Sequence, residues 1–210
     1  MDTPPKMKEY SASMLHLNGH LLCAVDVETT GLDPKEDDLV EVCVLPLDHN
    51  LQPHQRYKAF NTMLKPIKKP IGNRNPKNGL TSVEIMQYGL DNYRAADLLE
   101  EWFNNLKLPP KKQIIPLAHN WVFDRDFLIE WLGPLNFQYI FNGHYRDTMT
   151  IGAFHNDRKH NQSEPYDFAR ISLGAMCERL EVENKMAHRA LYDCLATAEV
   201  YKKLVTMYSF

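Results

Sequence analysis

The 210 residues fit within one domain, and 44% hydrophobic residues supply material for a sizeable core. With 24 Lys and Arg against 27 Asp and Glu, the net charge of −3 excludes a polycation that coats DNA or an acidic membrane. No apolar stretch reaches the length of a membrane span and no signal-peptide pattern opens the chain, so a soluble, intracellular and cytoplasmic protein is expected.

Residues 1–13, with Pro4, Pro5 and several charges, read as a loosely held arm; the arm is drawn at 1–19 and one domain at 20–210. Strand-like runs follow at 20–27, 39–47 and 56–64, broken by Asp33-Pro34 and His49-Asn50. Lys65 to Gly79 holds three prolines and five basic residues and reads as a loop. Helical patterns come next at Thr81–Gln87 and at Arg94–Leu106, the second with Ala95, Leu98, Leu99, Trp102, Phe103 and Leu106 on one face. Residues 113–120 read as a buried strand, with Pro116 implying an irregularity. A helix is expected from Val122 to Leu132, stopping at Gly133-Pro134. A short strand lies near Tyr139–Phe141 or nearer His144–Arg146, followed by a helix from Thr148. Residues 155–167 read as a loop. Ser172 is placed to cap a helix through Leu180, and the last helix spans roughly 189–207. A three-strand meander followed by alternating strand and helix implies one mixed-sheet α/β domain. Cys23, Cys43, Cys177 and Cys194 show no CxxC or Cys/His ligand spacing, so buried thiols are expected.

Three segments carry chemistry. In "AVDVETTGL", residues 24–32, Asp26 and Glu28 sit two apart in a strand and so project from one face. Acids in an apolar strand need a metal, a basic partner or an outlet to water. In "LAHNWVFDRDFL", residues 117–128, Asn120 can cap a helix that carries Asp124 one turn in. There the helix dipole alone would also favour an acid. In "MAHRALYDCLATAEV", residues 186–200, Asp193 lies on the margin of an apolar helix stripe. His188 precedes that helix, where a lone histidine is more often a surface residue or a cap.

The order of these segments resembles the DEDDh exonucleases: an acid pair on the first strand, Asn-x-x-Phe-Asp after a later strand, His-x-Ala-x-x-Asp on the last helix. That group of the ribonuclease-H-like superfamily includes the proofreading subunit of bacterial DNA polymerase III, ribonuclease T, oligoribonuclease and the TREX enzymes. The resemblance runs from about Leu21 to Val205 and implies a ribonuclease-H-like α/β fold, a mixed five-stranded sheet flanked by helices. By motif, Asp26, Glu28, Asp124 and Asp193 would ligate two Mg²⁺ or Mn²⁺ ions, hard cations that suit oxygen donors. His188 would be the general base, a task suited to an ordinary imidazole pKa near ~6.5. The sister group uses a tyrosine where this chain has Arg189, so the histidine version fits better.

The resemblance also implies substrate contacts. The Thr29 backbone N–H would reach a terminal 3′-OH, Leu32 would wedge against the last bases, and Phe123 would shape the floor. His119 would touch substrate or hydrogen-bond locally, the local role being favoured, and Asn120 is counted among the substrate contacts. A family His-Gly-Ile-Thr stretch is matched by Asn78-Gly79-Leu80-Thr81, where Leu80 still offers an apolar contact. Core packing is an equal reading of Leu32, Leu80 and Phe123. Lys65, Lys68, Lys69, Arg74 and Lys77 can contact phosphates. The implied activity is 3′→5′ removal of nucleoside 5′-monophosphates from single-stranded nucleic-acid ends, DNA favoured and RNA possible. An enzyme that grips only such an end needs no overall positive charge. A proofreading role would require a polymerase or replication partner. A silent binding module would have no chemical need for all five reactive residues.

Overall fold

The computed structural model describes residues 19–68 and 80–207. The arm up to residue 18 and the basic residues Lys69, Arg74 and Lys77 lie outside the described residues. Five strands form a mixed sheet in the order β3-β2-β1-β4-β5: β1 (Leu21–Thr29), β2 (Leu39–Pro46), β3 (Phe60–Met63), β4 (Ile114–Ala118) and β5 (Arg146–Asp147). The helices are α1 (Ser82–Tyr88), α2 (Asn92–Asn105), α3 (Trp121–Leu132), α4 (Pro134–Ile140), α5 (Thr148–Asn161), α6 (Leu173–Leu180) and α7 (Ala190–Thr206). This is the expected ribonuclease-H-like α/β architecture. β1 pairs antiparallel with β2 and parallel with β4, which puts it at the centre of the sheet.

A central strand covered on both faces must be apolar on both, and β1 is from Leu21 to Val25. Its odd-numbered residues, Leu21, Cys23, Val25 and Val27, pack with Val42, Val44, Leu99, Phe127 and Phe137. Leu22 and Ala24, on the opposite face, pack with Ala190, Cys194 and Ala198 of α7. Each fully buried aliphatic side chain contributes about 1.5–3 kcal/mol. Small residues on α7 let that helix lie close to the sheet. All four cysteines are free thiols buried in these clusters or beside them. Among the described residues no helix is long and apolar enough to cross a membrane.

Several boundaries differ from the sequence reading. The third strand is shorter than 56–64, because the His54 ring accepts the N–H groups of Arg56 and Tyr57 at 3.1 and 3.2 Å and turns the backbone there. Pro116 causes no break: the β4–β5 ladder begins only at Leu117, beyond the residue that lacks an N–H. Residues 139–141 do not form a strand. Pro134 starts a helix at its first position, and Phe137, Ile140 and Phe141 recur at helical spacing beneath Trp121. The fifth strand is the alternative near Arg146. Residues 155–161, expected as loop, continue α5. His155 anchors them against Phe168, and Arg158, Lys159 and His160 complement the negative end of the helix.

Candidate active site

The site forms where β1 outruns its neighbour. The β1–β4 ladder ends at Ala24–Leu117, yet β1 continues to Thr29 with only β2 beside it. The N–H of Val27 is then taken by the Asp124 carboxylate of α3 at 3.0 Å. Asp26 and Glu28, by the period of two, stand with Leu22 and Ala24 on the face that α7 covers. Asp193, in the first turn of α7, is 7% exposed, and Asp124 is 3% exposed. Three distant segments thus bring four carboxylates into one open cleft of about 260 Å³, together with His119, Phe123 and His188. A larger cavity, about 600 Å³, lies at the other end of β4 beside Lys107, Lys112 and Tyr139, and its described lining holds neither acid nor histidine.

Asp193 is held at both oxygens. Asn184 Nδ2 donates to Oδ1 at 2.6 Å, and the backbone N–H of His188 donates to Oδ2 at 2.9 Å. His188 sits at φ +66°, in the left-handed region that costs an L residue energy, so its position depends on such ties. Ligand atoms of Glu28, His188 and Asp193 all fall within 4.8 Å of one another.

The cleft is short of positive charge. Burial pushes the Asp26 carboxyl well above the ordinary range, and repulsion from Asp124, Asp193 and Glu28 adds to it. Burial does the same to Asp124, opposed in part by the Val27 N–H. Asp193 is raised by burial against the pull of Asn184 and of the His188 N–H. Burial lowers His119, with Asp147 acting the other way. Clustered oxygen donors whose ionised form is penalised for want of counter-charge fit divalent cations, and an acidic/histidine group at this spacing can hold a metal ion.

Not every residue singled out in the sequence reaches the cleft lining. Thr29 closes β1, its hydroxyl donating to the Gly31 carbonyl at 2.6 Å. Leu32 is 84% exposed on the following loop and is no part of the core. Leu80, by contrast, is 2% exposed and packs with Val40 and Ile85. His119 Nδ1 lies 2.9 Å from the Thr148 hydroxyl, and Phe123 packs on Phe127 at 5.0 Å between ring centroids. Asn120 occupies the N-cap position of α3 at φ +71° without a side-chain cap bond. Asp147 does the capping instead, accepting the N–H groups of Asn120 and Trp121 at 3.1 and 3.0 Å. Lys68 Nζ bonds the Pro34 carbonyl and Glu130.

Sequence reasoning passed over Asn184, Asp147 and Glu41. For Glu41 a signal existed: it is an acid inside the apolar run LVEVCVLP, the same anomaly that marks Asp26 and Glu28.

A family model described as an exonuclease, RNase_T, matches residues 93–201, just over half of the chain and including Asp124, His188 and Asp193. The chain belongs to the RNase_T exonuclease family. Its acid pair, its Asn-x-x-Phe-Asp and its His-x-Ala-x-x-Asp stand in the order of the DEDDh 3′→5′ exonucleases of the ribonuclease-H-like superfamily. Among its relatives, a PolC-type DNA polymerase III from Ureaplasma parvum is 31% identical over 84% of this chain, which spans only 11% of that polymerase. Ribonuclease T from Wigglesworthia glossinidia brevipalpis is 28% identical, over 86% of this chain and 82% of its own length. The fold matches that of the zinc-bound E. coli exonuclease I–ssDNA complex with a TM-score of 0.69 at 19% identity, covering 90% of this chain and 41% of that one.

Proposed function

We propose that this family member is a metal-dependent 3′→5′ exonuclease that removes nucleoside 5′-monophosphates from single-stranded DNA ends. The observation that carries this reading is the convergence of Asp26, Glu28, Asp124, Asp193 and His188 on one open cleft. In it the four carboxylates would hold two Mg²⁺ or Mn²⁺ ions, whose charge would stabilise the phosphodiester transition state and acidify the attacking water. Val27, Asn184 and the His188 backbone orient Asp124 and Asp193, leaving further lone pairs on those oxygens for ligation. The His188 imidazole takes the water's proton at a ring nitrogen, close to Glu28 and Asp193. The Thr29 backbone faces the terminal 3′-OH, the exposed Leu32 wedges against the last bases, and Phe123 with His119 forms the floor. Proofreading would add a polymerase partner.

RNA is the second reading, favoured by the near full-length match to ribonuclease T. DNA is supported by the PolC-type relative and by the fold shared with an exonuclease that binds ssDNA. The test is digestion of 5′-labelled single-stranded DNA, duplex DNA, RNA of the same sequence and short oligoribonucleotides, with Mg²⁺, Mn²⁺ or EDTA. Stepwise shortening from the 3′ end, fastest on single-stranded DNA and abolished by EDTA, is expected. Faster shortening of RNA would select the second reading, and no shortening of any substrate with either metal would overturn both.

A further inference from the structure

We infer that Glu41 and Arg189 form a positioning pair, which clamps the histidine loop to the sheet and keeps a guanidinium off the metal-binding carboxylates. The inference rests on the proposed metal-dependent reading and adds two residues that it does not use. Glu41 is 2% exposed in the middle of β2 and lies directly opposite Glu28 in the β1–β2 ladder. Like charges in that relation are destabilising, and a buried carboxylate needs a partner. Arg189 supplies it, with Nη2 at 3.2 Å from Oε1 and Nε at 3.3 Å from Oε2.

The same carboxylate accepts the Ala190 N–H at 3.1 Å. Ala190 opens α7, so its N–H has no partner within the helix. Arg189 stands at the N-cap but its side chain has no acceptor. A residue 149 positions away therefore caps α7. That cap grips Arg189 and Ala190 directly after His188, whose own N–H is tied to Asp193. The strained backbone of His188 is thus fastened on both sides.

The pair has an electrostatic consequence as well. The Arg189 charge is stabilised first by its hydrogen bonds to Glu41, and also by Glu84 and Glu28. If Glu41 lost its charge, the guanidinium would turn towards those remaining acids, and Glu28 is a proposed metal ligand. An arginine on Glu28 competes with a divalent cation for the same oxygens. Loss of Glu41 should therefore weaken metal binding more than loss of the whole pair.

The experiment measures Mn²⁺ binding by calorimetry and by paramagnetic resonance, alongside kcat and KM on single-stranded DNA. Glu41→Gln is expected to weaken Mn²⁺ binding about tenfold or more and to lower the melting temperature by roughly 4–10 °C. Adding Arg189→Met to it should return Mn²⁺ binding to within about threefold of wild type, although kcat stays low because the loop is no longer clamped. Arg189→Lys, which keeps the charge, should retain Mn²⁺ affinity and lose only a few-fold in kcat, and it serves if Glu41→Gln does not fold. Wild-type Mn²⁺ affinity in Glu41→Gln, or a double variant as weak as the single one, would overturn the inference. Failure of the wild type itself to bind Mn²⁺ would instead overturn the metal-dependent reading beneath it.

Discussion

Replacing Asp26 by Asn removes one negative charge from the cleft while preserving side-chain volume. The Asp26 carboxyl shares the cleft with those of Glu28, Asp124 and Asp193, each of which repels it. At about 5 Å two unit charges repel by about 3 kcal/mol at an effective dielectric of ~20 and by under about 1 kcal/mol in water. For a half-buried cleft we take about 1–3 kcal/mol of relief. In a chain of this size that corresponds to a gain of about 3–10 °C in melting temperature without metal. The pH dependence has a definite sign. Burial and its acidic neighbours raise the Asp26 carboxyl in the folded state. Its stabilising contribution is therefore complete below the unfolded value of about 3.9 and is lost as pH rises through the raised folded value. In EDTA the melting temperatures of wild type and Asp26→Asn should converge near pH 4 and separate towards pH 7.5, with the variant higher. Saturating Mn²⁺ should reverse the order, since a cation at 100 times its Kd adds about 2.7 kcal/mol to the protein that binds it. Thermal unfolding across pH with EDTA or Mn²⁺ measures this. A variant that melts below wild type in EDTA at pH 7.5, or an equal Mn²⁺ gain in both proteins, would refute the argument.

Three other changes separate the roles of neighbouring residues. His188→Ala should lower kcat by ~10²–10⁴-fold while Mn²⁺ affinity stays within about threefold of wild type; near-normal turnover at saturating metal would remove the base assignment. Asp147→Ala removes the acceptor for Asn120, Trp121, Met149 and Thr150 N–H groups, uncapping α3 and α5 together. Denaturant unfolding should report a loss of about 2–4 kcal/mol, with Asp147→Asn in between, whereas a loss under about 0.5 kcal/mol would show that water replaces the cap. Gly31→Ala would place a Cβ against the Asp37 carboxylate, which also accepts the Asp33 N–H. That carboxylate must then move and release the Asp33 N–H beside Leu32, so KM for single-stranded DNA should rise more than kcat falls, and an unchanged KM would show that end binding does not depend on this turn.

The sequence by itself determined the features that depend on short-range periodicity. Alternation put Asp26 and Glu28 on one face, and helical spacing put Asp193 on the margin of the α7 stripe. The order of the three motifs carried the family and with it the sheet. Polar surface helix is harder to tell from loop, because solvent accepts either; hence residues 155–161 read as loop, although His155 packs against Phe168. An apolar residue by itself does not say whether a neighbour will cover it. Leu32 and Leu80 have the same side chain, and only packing makes one 84% exposed and the other 2%. The caps are the clearest case. Asn120 is the local candidate for α3 and Arg189 stands at the start of α7, yet the acceptors are Asp147 and Glu41. A carboxylate on a strand can cap a helix only where the topology brings that strand's edge or face against the helix end. That juxtaposition follows from burying both faces of β1 at once, a condition on the whole chain that no local window contains.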